Sequence, residues 1–304
     1  GVAGGAGAGW TTDELKALRR TVEKEGLVLE AIENFDPGSW YDVLLDGPRR
    51  AEQMEEVKRL VRCVGEAGIP VMGYNFSIAG VAGRISGPFA RGGAASVGVE
   101  GGDQTPLPLG MAWNMVYDQH APPGTLPPVT SEELWRRLFR FLEEIIPVAE
   151  DAGVTMAAHP DDPPAPTVRG TPRLVHQPWL YQRLLDAVPR RANALEFCLG
   201  TIAEMTEGDV YQATEQYSSQ GRLAYVHVRN VRGKMPSYRE DFIDAGDVDI
   251  RRVLRILKKN GYAGVLTPDH TPLPECGAPW HAGMAYAIGY LRAALQEIDE
   301  RAGG

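Results

Sequence analysis

Cysteine and long apolar runs are scarce in this chain of 304 residues, and its 31 basic residues are outnumbered by 40 acidic ones. Its three cysteines, Cys63, Cys198 and Cys276, are too few and too scattered for a disulfide framework, which favours a reducing cytoplasm. No apolar run approaches the roughly 20 residues that a membrane-spanning helix needs. The formal net charge of −9 argues against nucleic acid and anionic membrane surfaces as partners, because both attract basic patches.

Hydrophobic residues, by contrast, make up 43% of the chain, which is enough for one large α/β domain spanning residues 1–304. Patterns typical of helices and strands alternate along it, and such alternation predicts βαβ units with a parallel sheet. The predicted strands are Val2–Ala8, Leu27–Ile32, Ile69–Phe76, Val154–His159, Ala194–Cys198, Leu223–Val228 and Gly264–Thr267. The predicted helices are Thr12–Glu25, Arg49–Ala67, Ser131–Ala152, Trp179–Val188, Asp209–Ser219, Asp249–Asn260 and Met284–Arg301.

Seven strand–helix pairs are one fewer than a closed barrel of this class requires. The last unit is complete, so the pattern predicts a TIM-type (β/α)8 barrel whose first βα unit is missing from this chain. The segment from Ile78 to Thr130 is rich in glycine and proline and follows a strand end. We therefore expect it to form a long loop that covers the mouth of the active site.

Four successive strand segments end in, or lead directly to, a side chain that can bind a metal ion. These side chains are His159, Cys198, His227 and Asp269. Each of them alone is more simply explained as an ordinary core or rim residue. Barrel enzymes, however, bring side chains from the C-terminal ends of several strands to one point, so the four together predict a mononuclear metal centre. Asp161, Glu196 and Arg229 share strand faces with the ligands and are expected beside the metal.

At these residues the chain resembles the D-mannonate dehydratase family of metal-dependent barrels, within the broader xylose-isomerase-like group. The matching segments are Gly73-Tyr-Asn-Phe76, Ile146-Pro-Val-Ala-Glu150, His159-Pro-Asp-Asp-Pro-Pro164, Glu196-Phe-Cys-Leu-Gly-Thr201, His227-Val-Arg-Asn-Val231, Gly246-Asp-Val-Asp249 and Asp269-His-Thr-Pro272. The resemblance implies the same four ligands, Mn²⁺ as the metal, and conversion of D-mannonate to 2-keto-3-deoxy-D-gluconate and water. Thiolate ligation alone favours zinc, iron or cobalt, so the choice of Mn²⁺ rests on the resemblance.

The chain also departs from the family pattern. Family members carry one more βα unit before Gly1, and a histidine-containing stretch where this chain has Met235–Asp244. The covering segment 78–130 matches poorly. A tyrosine that the family uses near the last helix has no secure counterpart, although His281 and Tyr286 lie close to its place. These differences concern the part of the site that holds substrate.

Dehydration of a sugar acid requires a general base for the proton beside the carboxylate and a general acid for the departing hydroxide. His270, next to Asp269, is the leading candidate, although it could instead only orient that ligand. His281 or Tyr286 could be its partner. For substrate binding, the candidates are Asn75, Arg84, Asp161, Glu196 and Arg229, with the two arginines suited to the carboxylate of a small anionic sugar acid.

Two other functions stay open at this stage. A metal-dependent sugar isomerase or epimerase on the same barrel usually has two metal-linked carboxylates, whereas Glu196 is the only inward strand carboxylate beside the ligands here. A non-enzymatic sugar-binding protein with a structural metal is the second alternative, but structural sites are typically cysteine-rich and closed. Assembly into a homo-oligomer is compatible with either function.

Overall fold

The strands and helices of the computed structural model are described for residues 10–302. The helices, α1–α9 in chain order, are Thr12–Lys24, Tyr41–Leu45, Arg50–Glu66, Ser131–Ala152, Leu180–Ala187, Leu199–Glu204, Val210–Ser219, Ile250–Lys259 and Pro279–Ala302. The strands, β1–β14 in chain order, are Ala31–Glu33, Val71–Tyr74, Arg84–Gly87, Ser96–Glu100, Met111–Ala112, Met115–Val116, Thr155–Ala158, Thr167–Val168, Thr171–Pro172, Asn193–Cys198, Leu223–His227, Asn230–Lys234, Ser237–Asp241 and Val265–Thr267.

A curled parallel sheet of six strands positions the site. Its order is β1-β2-β7-β10-β11-β14, so each strand pairs with the next parallel strand along the chain. In the register, Cys198 lies opposite His227, and His227 lies opposite Thr267. The C-terminal ends of neighbouring strands therefore meet at one edge, as in a TIM barrel.

The core forms between this sheet and the helices that cover it. Every residue of β10 is buried, as expected for a parallel strand with both faces covered. Helix α4 packs an apolar stripe that includes Trp135, Phe141 and Ile145. The Thr130 hydroxyl caps its first turn by accepting from the N–H of Glu133, and Gly153 ends it in the left-handed conformation with φ of 69°.

Within residues 10–302 the parallel sheet has six strands, one fewer than the seven that the sequence pattern indicates. The predicted strand Val2–Ala8 lies outside the described residues. The predicted strand Leu27–Ile32 forms only at its end and shifts to Ala31–Glu33, while the side chains of Leu27 and Val28 are 61% and 71% exposed. Their apolar character indicated a buried strand, but neither residue belongs to a strand of the described sheet. Within residues 10–302, no helix is long and apolar enough to cross a membrane.

The segment 78–130 is more ordered than the predicted loop. It contains β3 to β6, and β3 and β4 join β12 and β13 in an antiparallel sheet of order β12-β13-β4-β3. This roof sheet pairs residues 98–100 with residues 237–239, about 140 positions later, such as Tyr238 opposite Val99. The pairs β3–β4 and β12–β13 are local, but the pairing of β4 with β13 joins distant parts of the chain, so local sequence signals could not reveal this sheet.

Candidate metal centre and active site

Three of the four predicted ligands come together at the edge of the parallel sheet. His159 directly follows β7, while Cys198 and His227 end β10 and β11. One ligand atom from each lies within 4.8 Å of the ligand atoms of the other two. Cys198 is fully buried and His227 is 3% exposed. Two imidazoles and a thiolate in this arrangement can hold a divalent transition metal.

Asp269, the fourth predicted ligand, lies beside this group rather than within it. It follows β14 and adopts a left-handed backbone conformation with φ of 62°. Its Oδ2 is 3.6 Å from Nδ1 of His227 and 3.5 Å from Nε of Arg229. The carboxylate therefore borders the group on the side of the Nδ1 atom of His227.

The surroundings of the ring nitrogens of His159 and His227 indicate which of them are free to bind a metal. Nδ1 of His159 is 2.6 Å from the carbonyl oxygen of Pro160, which leaves Nε2 available to a metal. Nδ1 of His227 is buried and has no hydrogen-bond partner within the described part of the chain. An unpartnered buried nitrogen 3.6 Å from the Asp269 carboxylate, on a ring grouped with Cys198, fits a metal ligand, since buried polar atoms are nearly always paired.

The charges of the group are strongly coupled. Burial opposes ionisation of the Cys198 thiol, but the Arg229 guanidinium and the two histidines lower its pKa well below the ordinary value. Burial also disfavours the charged form of the histidines. Nevertheless, Glu196 and Cys198 raise the pKa of His159 to about 10, and Cys198 and Glu33 raise the pKa of His227 to about 12. Without a metal, these shifts favour a thiolate at Cys198 and protonated rings at His159 and His227.

Arg229, predicted to bind the substrate carboxylate, lies next to Cys198 of the metal group, which is formed by His159, Cys198 and His227. It does not line the cavity that opens onto this group. Its guanidinium contacts three buried acids, with Nη2 at 3.0 Å from Asp162 and 3.2 Å from Glu204, and Nη1 bonded to Glu240. The same Nη2 is 3.7 Å from the sulfur of Cys198. Arg229 therefore neutralises buried acids and stabilises the thiolate, a role that depends on partners the sequence did not place together.

Asp161, another predicted substrate ligand, is occupied by the protein itself. Its Oδ2 accepts the backbone N–H groups of Leu174 and Val175 at 2.8 and 2.9 Å, and its Oδ1 accepts from Arg173 at 3.1 Å. Both Asp161 and Arg173 are buried. The carboxylate thus anchors the 173–175 loop, and alternation along the strand could not distinguish this role from substrate binding.

We expect Asp161→Ala to lower the free energy of unfolding by about 3–5 kcal/mol, because Arg173 would remain buried without its carboxylate. Asp103→Ala, which removes a partly exposed partner 3.8 Å from Arg169, should cost less than about 1 kcal/mol. Urea unfolding of the two variants measures both values. Equal losses in the two variants would contradict the anchoring role.

A cavity of about 160 Å³ opens onto the metal group. Its walls are Glu33, Asn34, Asn75, Val81, Arg84, Trp113, His159, Asp162, His227, Asp269 and His270. A second cavity of about 290 Å³ shares Arg84 and His270 with it. The predicted residues Asn75, Arg84 and His270 thus share this cavity with predicted ligands. These ligands are His159, His227 and Asp269.

The sequence reasoning missed several residues of the cavity. Glu33 ends β1, so the strand-end rule could have found it, had the predicted strand extended one residue further. Asp162 lies within the His159-Pro-Asp-Asp run, where it is hidden by its neighbour Asp161. Burial opposes its ionisation, but Arg84 and Arg229 hold the pKa of Asp162 far below its ordinary value. Trp113 comes from the covering segment, which showed no local signal.

His281 and Tyr286 are both exposed and line neither of the two cavities. The hydroxyl of Tyr286 is 3.3 Å from Nη2 of Arg91, and its ring packs edge-on against Phe242. Of the three predicted acid–base residues, only His270 therefore reaches the cavity. Its Nδ1 is 3.1 Å from Glu240, and its Nε2 is 3.5 Å from Asp269.

Comparisons with known proteins identify the family. The model of the family described as D-mannonate dehydratase (UxuA) matches residues 4–82 and 125–296 of this chain. The chain belongs to the D-mannonate dehydratase family. A mannonate dehydratase of Streptococcus equi subsp. zooepidemicus is 31% identical over 281 residues, covering 87% of this chain and 75% of the relative. The resemblance seen in the sequence is confirmed, and with it the enzyme class, a hydro-lyase from a metal-dependent family.

Other matches extend over almost the whole chain. Mannonate dehydratase 2 of Halalkalibacterium halodurans is 28% identical over 310 residues, covering 96% of this chain and 89% of the relative. The crystal structure of mannonate dehydratase from Streptococcus suis serotype 2 superposes with a TM-score of 0.83 at 27% identity, covering 99% of this chain and 85% of that one. A xylose isomerase domain protein from Planctomyces limnophilus, at 14% identity and a TM-score of 0.61, shares the fold. The predicted barrel class is confirmed.

Proposed function

We propose that this enzyme dehydrates D-mannonate to 2-keto-3-deoxy-D-gluconate at the edge of the parallel sheet. The observation that carries the proposal is the group of His159, Cys198 and His227 facing a cavity that also contains Arg84 and His270, in a member of this family. A structural metal is normally enclosed by its protein ligands, whereas two of these three ligands line an open cavity. The proposed location is the cytoplasm.

The residues proposed to hold the metal are His159, Cys198, His227 and Asp269, and the proposed metal is Mn²⁺ or another divalent transition ion. The unpartnered Nδ1 of His227 and the lowered pKa of Cys198 both fit this group. When bound, such an ion supplies positive charge that stabilises the negative charge developing on a substrate carboxylate.

Arg84 is the residue proposed to bind the sugar-acid carboxylate. Its side chain is 25% exposed and lines both cavities, and its Nη2 is 2.7 Å from Asp162. Pairing with Asp162 holds the guanidinium in place while leaving other N–H groups for a ligand. Asn75 also lines the cavity, and its Oδ1 is buried without a partner in the described structure, so we propose that it accepts a hydrogen bond from a sugar hydroxyl.

His270 is proposed to move the proton. Glu240 contacts its Nδ1 and orients the ring, which leaves Nε2 directed toward Asp269 and the cavity. A carboxylate that fixes the ring and tautomer of an acid–base histidine is a recurrent catalytic arrangement. The proton is therefore exchanged at Nε2.

Assay of the metal-loaded protein tests the activity directly. D-Mannonate should be consumed with formation of a 2-keto-3-deoxy acid, while other hexonates serve as competitors that define the substrate. If no hexonate loses water but a ketose or aldose is isomerised, the alternative isomerase or epimerase function is correct.

Metal binding should release about two protons per ion at pH 7, because His159 and His227 must lose the protons that their raised pKa values retain. As the pH rises toward these pKa values, fewer protons are displaced, so the apparent affinity should increase with pH. Calorimetry in two buffers of different ionisation enthalpy measures the release. Binding without proton release at pH 7 would contradict the assigned charges.

A further inference from the structure

A cluster of polar groups that the proposed reaction does not use adjoins the metal centre. Glu196 lies two residues before Cys198 on the same strand and is fully buried. Neither of its carboxylate oxygens has a hydrogen-bond partner within the described residues, and the same holds for the hydroxyl of Tyr225. A buried carboxylate without partners is costly, so its presence beside the histidines requires an explanation.

The backbone leaves room for this cluster at Gly73 of β2. A Cβ atom added there would lie 2.2 Å from the hydroxyl of Tyr225, 2.7 Å from Oε2 of Glu196 and 2.9 Å from Cγ of Glu33. All three distances are shorter than real Cβ contacts allow. Side chains from β1, β10 and β11 therefore converge in the space that only glycine leaves open.

The two carboxylates of the cluster face one nitrogen of His227. Nε2 of His227 is 3.3 Å from Oε1 of Glu196 and 3.5 Å from Oε2 of Glu33. Its other nitrogen, Nδ1, is the unpartnered atom 3.6 Å from Asp269. Nε2 of His159 is farther from Glu196, at 3.9 Å. Nε2 of the His227 ring thus faces Glu196 and Glu33, and Nδ1 faces Asp269.

We propose that Glu196, assisted by Glu33, is a positioning residue that accepts the Nε2–H of His227 and so directs Nδ1 toward the metal. The inference rests on the proposed metal centre. Metal-binding histidines commonly donate their second N–H to a carboxylate, which fixes the tautomer and ring orientation. This role accounts for a buried carboxyl group 3.3 Å from the His227 ring, and it differs from the substrate contact that the sequence indicated.

Replacement of Glu196 tests the proposal through metal affinity. Glu196→Leu should weaken binding of Mn²⁺ and Zn²⁺ by about 10–100-fold in chelator competition, the usual effect of losing such a partner. Glu196→Gln should lose less, because its amide oxygen can still accept the N–H. Asp42→Asn is the control: Asp42 is also buried, but it accepts the backbone N–H of Arg49, so metal affinity should not change.

A spectroscopic measurement on the parent protein needs no substitution. In Zn²⁺-loaded protein with ¹⁵N-labelled histidine, His227 should show a metal-bound Nδ1 and a protonated Nε2. In Glu196→Leu, the His227 signals should no longer correspond to this single tautomer. A ring bound through Nε2 in the parent would overturn the proposal.

Two further outcomes would also overturn it. If Glu196→Gln lowers kcat while affinity and histidine signals stay at parental values, Glu196 acts on the substrate. If the parent binds two ions per chain and the variant binds one, Glu196 is itself a ligand. A parent that binds metal but does not dehydrate D-mannonate would refute the proposed function alone, since affinity and histidine signals still decide the role of Glu196.

Discussion

Cys198→Ala is expected to lower the affinity for the divalent ion by more than about 100-fold and to abolish dehydration. The loss should exceed the 10–100-fold effect of removing a group that only supports a ligand, because the thiolate itself is removed. The group would then retain two histidines, and Asp269 on their border. Metal analysis after dialysis, followed by turnover of D-mannonate, measures both effects.

Cys63→Ala provides a matched control for this substitution. Cys63 lies on α3, is nearly as buried as Cys198, and contacts Arg59 rather than the histidines. The control should bind metal as the parent does. If Cys198→Ala also keeps the parental metal content and affinity, the proposed centre is wrong.

His270→Asn should keep the metal and lower kcat by about 10²–10⁴-fold, the usual contribution of general acid–base catalysis. The ring lies 33% exposed at the cavity, so its removal deletes a proton carrier without removing one of the three grouped ligands. Steady-state kinetics on metal-loaded protein measures kcat, and metal content confirms that the centre is intact.

Substitutions at two other histidines show whether the loss of kcat is specific to His270. His120 is exposed and lies outside both cavities, so His120→Asn should retain the parental kcat. His281→Asn tests the competing assignment. A parental kcat in His270→Asn together with a large loss in His281→Asn would transfer the acid–base role to His281.

The strand ends could be located from local sequence because their signal is local. An apolar run that ends in a polar residue predicts both a buried strand and the residue at its rim, and His159, Cys198 and His227 were found in this way. Arg229 and Asp161 show where such reasoning stops. Alternation indicates which way a side chain points, but whether it meets a substrate or another protein group depends on residues far away in the chain.

The sequence by itself determined the fold class, the order of the elements and the residues available for a metal, because hydrophobic period, caps and strand ends are encoded within a few neighbouring positions. Only the tertiary structure decided which charged groups line the cavity and which are consumed by ion pairs. It also created the roof sheet from residues about 140 positions apart. It gathered Glu33, Gly73 and Glu196 around one side of His227. These arrangements arise when separate strands become neighbours, and no local pattern specifies that contact.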